Sequence, residues 1–234
     1  MTKGTAPDSR RTPGHLPALL YLAGQSLPVG AFAWSQGLEG ACAEALVHDA
    51  PSLRVWLHGI LRYGLERLDL PLLLRSYRAA AQKDRNAFLA WDALLKAGRE
   101  SAELLLEEEQ MGLALGRILH AQKLWPDWLG DCSCGYVAAF ALAAERLGCL
   151  PEAEEDVACA YAISWLQNQV VTACKCLPLG QSAAQEIVIG LMAFVPDYVQ
   201  GATRLADEEI GACLPALAIA SSRHEEQYSR MFRS

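Results

Sequence analysis

The sequence lacks the features that mark membrane-spanning and secreted proteins. No apolar run reaches the roughly 20 residues that a helix needs to cross a bilayer. The chain contains 8 cysteines, but no secretory hydrophobic segment precedes them and their spacing does not resemble a disulfide framework. We therefore expect reduced thiols, a cytoplasmic location and no membrane partner.

An excess of positive charge is also missing. The chain has 20 Lys and Arg residues against 27 Asp and Glu residues, which gives a formal net charge of −7. Such a chain is repelled by phosphate backbones and anionic lipids. The charge balance argues against nucleic acid or an anionic membrane as the main partner.

The common catalytic and metal-binding motifs are absent as well. We find no GxxxxGK[ST], GxSxG or HExxH pattern, and no Cys-x-x-Cys or His-x-x-x-His pair. Cys132 and Cys134 flank one residue of a predicted turn. Cys174 and Cys176 lie two apart in a predicted helix, where side chains point about 200° away from each other. We therefore expect no enzymatic activity, no cofactor and no tight built-in metal site, with the cysteines acting as small core residues.

What the sequence does contain is helical periodicity. Hydrophobic residues make up 52% of 234 residues, and no stretch shows the sustained alternation of a strand. The pattern predicts an all-α, single-domain bundle of about ten helices over residues 16–222. Residues 1–15 are polar and contain proline, so we expect a disordered N-terminal arm. Predicted helix starts lie at Asp49, Asp69–Pro71 and Asp84.

Two long predicted helices carry polar side chains that need an explanation. The helix at residues 100–124 has an acidic run that is most simply a solvated face, Glu107, Glu108 and Glu109. In the same helix, Gly112 and Gly116 should let a neighbouring helix approach closely. The helix at residues 152–177 has a polar stripe of Ser164, Asn168, Thr172 and Lys175. That stripe is either the wet face of the helix or an enclosed polar face, suited to a protein interface or a hydrated channel.

The segment at residues 26–39, SLPVGAFAWSQGLE, is the most distinctive part of the chain. Pro28 should end the preceding helix, and Gly30 should permit a sharp turn. A helix is predicted to follow from Trp34 to Ala45. Two polar residues in it stand beside glycines, which suggests that another backbone comes close there: Gln36 with Gly37, and Glu39 with Gly40.

The C-terminal tail, residues 223–234, mixes charged and aromatic residues. Tyr, Arg, Met and Phe are enriched at protein interfaces, and such a segment can become ordered on binding. A frayed chain end is the alternative. We interpret the segment as a docking tail, with four candidate contact residues: Arg223, His224, Tyr228 and Arg230.

Three stretches resemble the UreF family of urease accessory proteins. They are SLPVGAFAWSQGLE at residues 26–39, AYAISWLQNQVVTACKCLPLGQ at 160–181, and LPALAIASSRHEEQYSRMFRS at 214–234. Their order and spacing fit the family from about residue 16 onward. The resemblance implies an all-helical protein that forms a homodimer in a complex with UreD (also called UreH), recruits the GTPase UreG and acts on apo-urease. GTP hydrolysis by UreG would be coupled to nickel insertion.

The resemblance also assigns expected roles to residues. Pro28, Gly30, Gln36 and Glu39 belong to the family's N-terminal signature. Lys175 falls in the region that the family uses to engage the GTPase. The four tail residues named above fall in the part that orders against UreD.

This chain departs from the family in carrying Cys174 and Cys176 on either side of Lys175. That departure leaves room for a local thiol function, and two alternatives stay open beside a non-enzymatic scaffold. One is a GTPase-activating protein that supplies Arg223 or Arg230 to UreG. The other is a thiol-based nickel metallochaperone.

Overall fold

A computed structural model describes residues 14–233 of the chain, and their regular structure is entirely helical. The predicted all-α, single-domain fold is confirmed. Most of the predicted N-terminal arm, residues 1–13, lies outside the described residues. The described part contains these α-helices: α1 Leu16–Leu22, α2 Leu38–Ala43, α3 Ala50–Ile60, α4 Leu70–Gln82, α5 Arg85–Ala97, α6 Ala102–Ala121, α7 Tyr136–Arg146, α8 Glu154–Cys176, α9 Gln181–Met192, α10 Val195–Arg204 and α11 Pro215–Glu225.

The core is built around α4 and α7, which pack against each other at the centre of the bundle. The first nine residues of α7, 136–144, are all buried. Helices α5, α6 and α8 surround this pair, and α9 and α10 pack against α8. None of the helices that the structure describes is both long and apolar enough to span a bilayer.

The helix start predicted at Asp69–Pro71 is confirmed, since α4 begins at Leu70. No break precedes it, however, because a π-helix at Leu61–Asp69 joins α3 and α4 into one continuous rod. A proline inside a helix removes one N–H and crowds the carbonyl four residues earlier. For Pro71 that carbonyl belongs to Arg67, and it accepts a hydrogen bond of 2.9 Å from the backbone N–H of Gly211 instead. The proline is therefore tolerated where the hydrogen-bond register changes from π to α.

The signature segment is less helical than predicted. Gly30 has φ = 78°, which confirms the sharp turn, but a 3₁₀ turn at Ala31–Ala33 follows and Trp34 is extended. Gln36 and Gly37 have φ values of 52° and 75°. Two consecutive left-handed residues interrupt a right-handed helix, so α2 begins only at Leu38.

Gly40 and Gly112 mark close approaches of a neighbouring backbone, as the sequence predicts, whereas Gly116 faces the side chain of Trp125. A Cβ added to Gly40 would lie 2.3 Å from the carbonyl oxygen of Ala220, so the backbone of α11 fills that space. A Cβ on Gly112 would lie 2.2 Å from the carbonyl oxygen of Cys134. The first contact sets the distance from α2 to α11, and the second sets that from α6 to the start of α7.

Candidate functional site

The C-terminal tail folds back onto the signature segment. After α11 ends at Glu225, the backbone N–H groups of Met231 and Phe232 donate to the carboxylate of Glu39 over 2.8 and 2.9 Å. The backbone N–H of Arg233 donates to the carbonyl oxygen of Ala33 over 2.9 Å. Glu39 therefore binds the tail through main-chain N–H groups, in the way that a capping carboxylate binds the N–H groups at the start of a helix.

A buried histidine fixes the start of the tail. His224 is fully buried, with Nδ1 at 2.8 Å from Glu103 and Nε2 at 3.0 Å from Glu39. Arg230 adds a hydrogen bond of 2.8 Å to Glu103. Each ring nitrogen of His224 thus contacts a carboxylate from a different helix. Two acidic side chains thus anchor the tail at several points.

The end of α8 also contacts the tail. Lys175 is exposed, and its Nζ lies 5.1 Å from the centre of the Phe232 ring, within the range of a cation–π interaction. Phe232 itself is buried. We call Glu39, Glu103 and Lys175 the tail pocket. The tail pocket is where the signature segment meets α8 and the tail, although the three are far apart in the sequence.

A buried chamber lies next to the tail pocket, and Gln36 connects its walls. The side-chain amide of Gln36 donates to Glu107 of α6 over 2.7 Å, and the indole N–H of Trp165 of α8 donates to the Gln36 oxygen over 2.5 Å. The cavity has a volume of about 70 Å³ and is also lined by Ser164 and Gln169. A cavity of this size, lined by polar as well as apolar side chains, has room for water.

The acidic run on α6 is not the solvated face that the sequence predicts. Glu107 and Glu108 are only 6% and 4% exposed, and Glu109 alone of the three is exposed. One oxygen of Glu108 accepts the backbone N–H of Val137 over 2.8 Å, at the start of α7. The other accepts a hydrogen bond of 2.6 Å from Arg99. Glu108 is therefore structural.

Arg99 neutralises two carboxylates but leaves Glu107 without a hydrogen-bonded cation of its own. The guanidinium group binds Asp69 over 2.7 and 3.2 Å as well as Glu108. Burial raises the pKa of Glu107 to about 8, although the hydrogen bond from Gln36 and the charge of Arg99 act to lower that pKa. Glu107 is therefore protonated near neutral pH.

The polar stripe of α8 is enclosed over most of its length, so the wet-face interpretation is wrong. Ser164 and Thr172 are buried, and only Lys175 at the end is exposed. Oε2 of Glu107 and Oε1 of Gln169 are among the buried side-chain oxygens of the described residues that find no hydrogen-bond partner. Both belong to residues that line the chamber. The stripe thus runs from the chamber to the tail pocket.

Comparison with known proteins identifies the family. The UreF family model matches residues 47–192. The urease accessory protein UreF of Chromohalobacter salexigens is 45% identical over 231 residues, which cover 98% of this chain and 99% of that protein. The protein of the same name from Teredinibacter turnerae is 46% identical over 218 residues, 92% of this chain and 97% of that protein. This chain belongs to the UreF family. The expected resemblance is confirmed.

The nine candidate residues of this UreF-family chain fall into groups. Glu39, Lys175, His224 and Arg230 meet at the tail pocket, with Gln36 in the chamber beside it. The remaining four lie at other places: Gly30 forms the turn, Pro28 is exposed, Tyr228 is exposed, and Arg223 pairs with Glu44 on the surface. Their binding of partners stays a prediction.

Sequence reasoning missed Glu103, which holds the tail, and assigned Glu107, which lines the chamber, to a solvated face. They are four residues apart and therefore lie on one helical face. Met111, four residues further on, is buried on that same face. This alignment with a core residue is the signal in the sequence that could have identified both.

The cysteines singled out in the sequence differ in their surroundings. Cys134 is buried, as expected of a core residue, but Cys174 is exposed. Cys132 accepts a hydrogen bond of 2.9 Å from Arg85. Within residues 14–233, no group of three or more His, Cys, Asp and Glu side chains is arranged to hold a metal ion.

Proposed function

We propose that this chain is a non-enzymatic scaffold in urease maturation. It binds UreD/UreH, recruits the GTPase UreG and couples GTP hydrolysis to the insertion of nickel into apo-urease. Its curated relatives carry the name urease accessory protein UreF, and the partners are those implied by the family resemblance. In this proposal nickel is cargo of the assembly, and the chain works in the cytoplasm as a homodimer within the complex.

The observation that carries the proposal is the convergence at the tail pocket. Lys175, expected to engage UreG, lies over the ring of Phe232 in the tail that is expected to bind UreD. The same tail is held by Glu39 of the family signature. Because the two expected partner surfaces share one contact, binding at one can alter the other. Such adjacency suits a scaffold that couples two partners.

Exposed groups around the pocket support a docking role. Tyr228 is fully exposed, and Met231 is 62% exposed although both are large and apolar. Tyr and Met are enriched in the cores of protein interfaces. The outer face of the tail therefore has the composition of a surface that a partner covers.

The test is the substitution Lys175→Ala, with Lys175→Arg as the matched control that keeps the charge. Loss of one member of an ion pair buried at an interface costs about 2–5 kcal/mol, which is roughly 30- to several-thousand-fold in affinity. We expect Lys175→Ala to lose UreG affinity on that scale while Lys175→Arg largely retains it. The Tm of both variants should stay within about 4 °C of the parent, because an exposed cation–π contact is worth only about 0.5–1 kcal/mol.

Calorimetric titration with UreG and a thermal melt measure both quantities. Unchanged UreG affinity in Lys175→Ala would move the GTPase surface elsewhere. GTP turnover separates the scaffold from a GTPase-activating protein, because we expect this chain alone to leave turnover by UreG unchanged. Arg223 and Arg230 are already engaged with Glu44 and Glu103. Acceleration that disappears on replacing either arginine by Ala would contradict the scaffold.

A further inference from the structure

The end of the tail binds both ends of one short segment of the family signature. We call residues 231–233 the strap and residues 33–39 the chamber wall. At one end of the chamber wall, the carbonyl oxygen of Ala33 accepts a hydrogen bond of 2.9 Å from the backbone N–H of Arg233. At the other end, the carboxylate of Glu39 accepts the other two backbone N–H groups of the strap. The strap therefore spans the chamber wall.

The middle of the chamber wall forms part of the lining of the chamber. Trp34 and Gln36 both line the cavity. The side chain of Gln36 bonds Glu107 on α6 and Trp165 on α8, and Trp34 is only 4% exposed. The guanidinium carbon of Arg233 lies 5.9 Å from the centre of the Trp34 ring, within the range of a cation–π interaction. The strap thus contacts a residue that lines the chamber.

The backbone of the chamber wall depends on its surroundings for its conformation. Gln36 and Gly37 have φ values of 52° and 75°. A left-handed conformation is uncommon for a residue other than glycine, and it persists where neighbouring contacts hold it. Glu107 and Gln169, in contrast, line the chamber from the regular helices α6 and α8. We therefore expect the chamber wall to move first when the contacts with the strap are lost.

The tail is anchored before the strap begins. His224 and Arg230 both bond the carboxylate of Glu103. Because these contacts do not involve residues 231–233, the strap can detach while the rest of the tail stays in place. Phe232 is the buried side chain of the strap, at 6% exposure. The packing of its ring therefore opposes detachment.

We propose that the strap is a latch that keeps the chamber closed, and that its release opens the chamber to solvent. When the strap detaches, the chamber wall relaxes from its left-handed conformation. Bulk water then reaches the unpartnered oxygens of Glu107 and Gln169. This hydration offsets part of the packing that is lost when Phe232 leaves its site. The latch is a property of this chain alone, so it holds or fails independently of the proposed partners.

Hydrogen exchange at a single indole N–H tests the latch. The indole N–H of Trp165 donates to Gln36 in the chamber, so its exchange with solvent, followed by NMR, reports local opening. The indole N–H of Trp125 donates to the carbonyl oxygen of Gly130 in another part of the fold and is the internal control. In the full-length chain, Phe232→Ala should raise the exchange rate at Trp165 by at least roughly 10-fold, because a buried ring is lost, while the rate at Trp125 stays unchanged.

Two further variants separate the ring of Phe232 from the rest of the tail. Phe232→Leu keeps an apolar side chain and should retain most of the protection at Trp165. Tyr228→Ala changes an exposed ring of the same tail and should match the parent. In the parent itself, low concentrations of urea should leave the rate at Trp165 nearly unchanged. A local opening exposes little surface, whereas exchange through global unfolding increases with urea.

Three results would overturn the proposal. One is an unchanged exchange rate at Trp165 in Phe232→Ala. Another is an equal rise at Trp125, because that pattern would indicate general loosening of the fold. The third is a strong urea dependence at Trp165 in the parent, which would mean that the chamber opens only when the whole chain unfolds. This last measurement uses the unsubstituted chain, so it does not depend on whether Phe232→Ala folds.

Discussion

Glu107 is a buried side chain whose ionisation affects the stability of this fold. It is buried between α6 and α8, bonds the signature residue Gln36, and has an elevated pKa of about 8. In the unfolded chain the same group has its ordinary pKa near 4.5. Between these two values the folded chain keeps a proton that the unfolded chain has lost. The stability that depends on this group therefore falls as pH rises through that window and is lowest above it.

Replacing Glu107 by Gln should remove this pH dependence. Gln has nearly the same shape, stays uncharged and can keep the contact with Gln36. Relative to the parent, Glu107→Gln should gain about 2–5 kcal/mol in the free energy of unfolding between about pH 5 and pH 9. Urea unfolding of both chains at several pH values measures the difference.

Glu109→Gln is the matched control for that experiment. Glu109 lies two residues away on the same helix and is exposed, so its replacement should leave the pH dependence of the parent unchanged. If Glu107→Gln also follows the parent at every pH, then Glu107 is ionised in the folded chain and the chamber is more polar than its lining suggests.

The three glutamates also show what a sequence cannot reveal about single residues. Successive residues in a helix turn by about 100°, so a run of three covers about 200° of the circumference. α6 packs against α7 on one side and α11 on another. Only Glu109 remains on the free side. The sequence shows that the three residues are glutamates, but it does not show how many helices pack around α6.

At the scale of elements, helix caps were predictable and one long rod was not. Asp49 and Asp84 accept backbone N–H groups at the starts of α3 and α5, as the sequence predicts. These caps are local. The continuity through Pro71 depends on Gly211, which is distant in the sequence. Its backbone N–H donates a hydrogen bond to the carbonyl oxygen of Arg67. The residues around Pro71 in the sequence therefore could not predict that contact.

The packing of α2 on α11 gives a prediction about a single methyl group. Gly40→Ala would place a Cβ 2.3 Å from the backbone carbonyl of Ala220, and backbone cannot move aside as a side-chain tip can. We expect a loss of about 1–3 kcal/mol, as for other overpacked contacts, together with loosening of the tail that α11 carries. Urea unfolding and protease sensitivity of the tail measure the two effects.

Gly59→Ala is the control with the same chemical change. A Cβ at Gly59, inside α3, meets no atom within 4 Å. Alanine is the better helix former by roughly 0.5–1 kcal/mol, so this variant should match or exceed the parent. Equal stability of Gly40→Ala and the parent would mean that α2 and α11 can separate at little cost. The close contact between them would then contribute little to the stability of the fold.

At the scale of the whole molecule, the fold brings together segments that the sequence marks only separately. The signature, the end of α8 and the tail were each predicted to be functional, but no local pattern predicted that they touch. A helical tail would place Tyr228, Met231 and Phe232 on one face. It leaves helix after Glu225, so Tyr228 points outward while Phe232 is buried.

This arrangement limits what a truncation can test. Removing residues 223–234 would remove His224 and leave Glu39 and Glu103 without their buried partner. A carboxylate left unpaired at a buried site is strongly destabilising. Loss of UreD binding after such a deletion would therefore follow from damage to the tail pocket as well as from loss of a docking surface.

Point substitutions on the two faces of the tail separate these causes. The double variant Tyr228→Ala and Met231→Ala changes only exposed side chains. If UreD covers the outer face, its affinity should fall by roughly 10- to 1,000-fold, as for interface hot spots, while Tm stays within about 2 °C of the parent. Phe232→Ala removes a buried ring and should cost about 2–4 kcal/mol in the free energy of unfolding. Side-by-side titrations with UreD and thermal melts decide it, because normal UreD affinity in the double variant would place the UreD surface away from the tail.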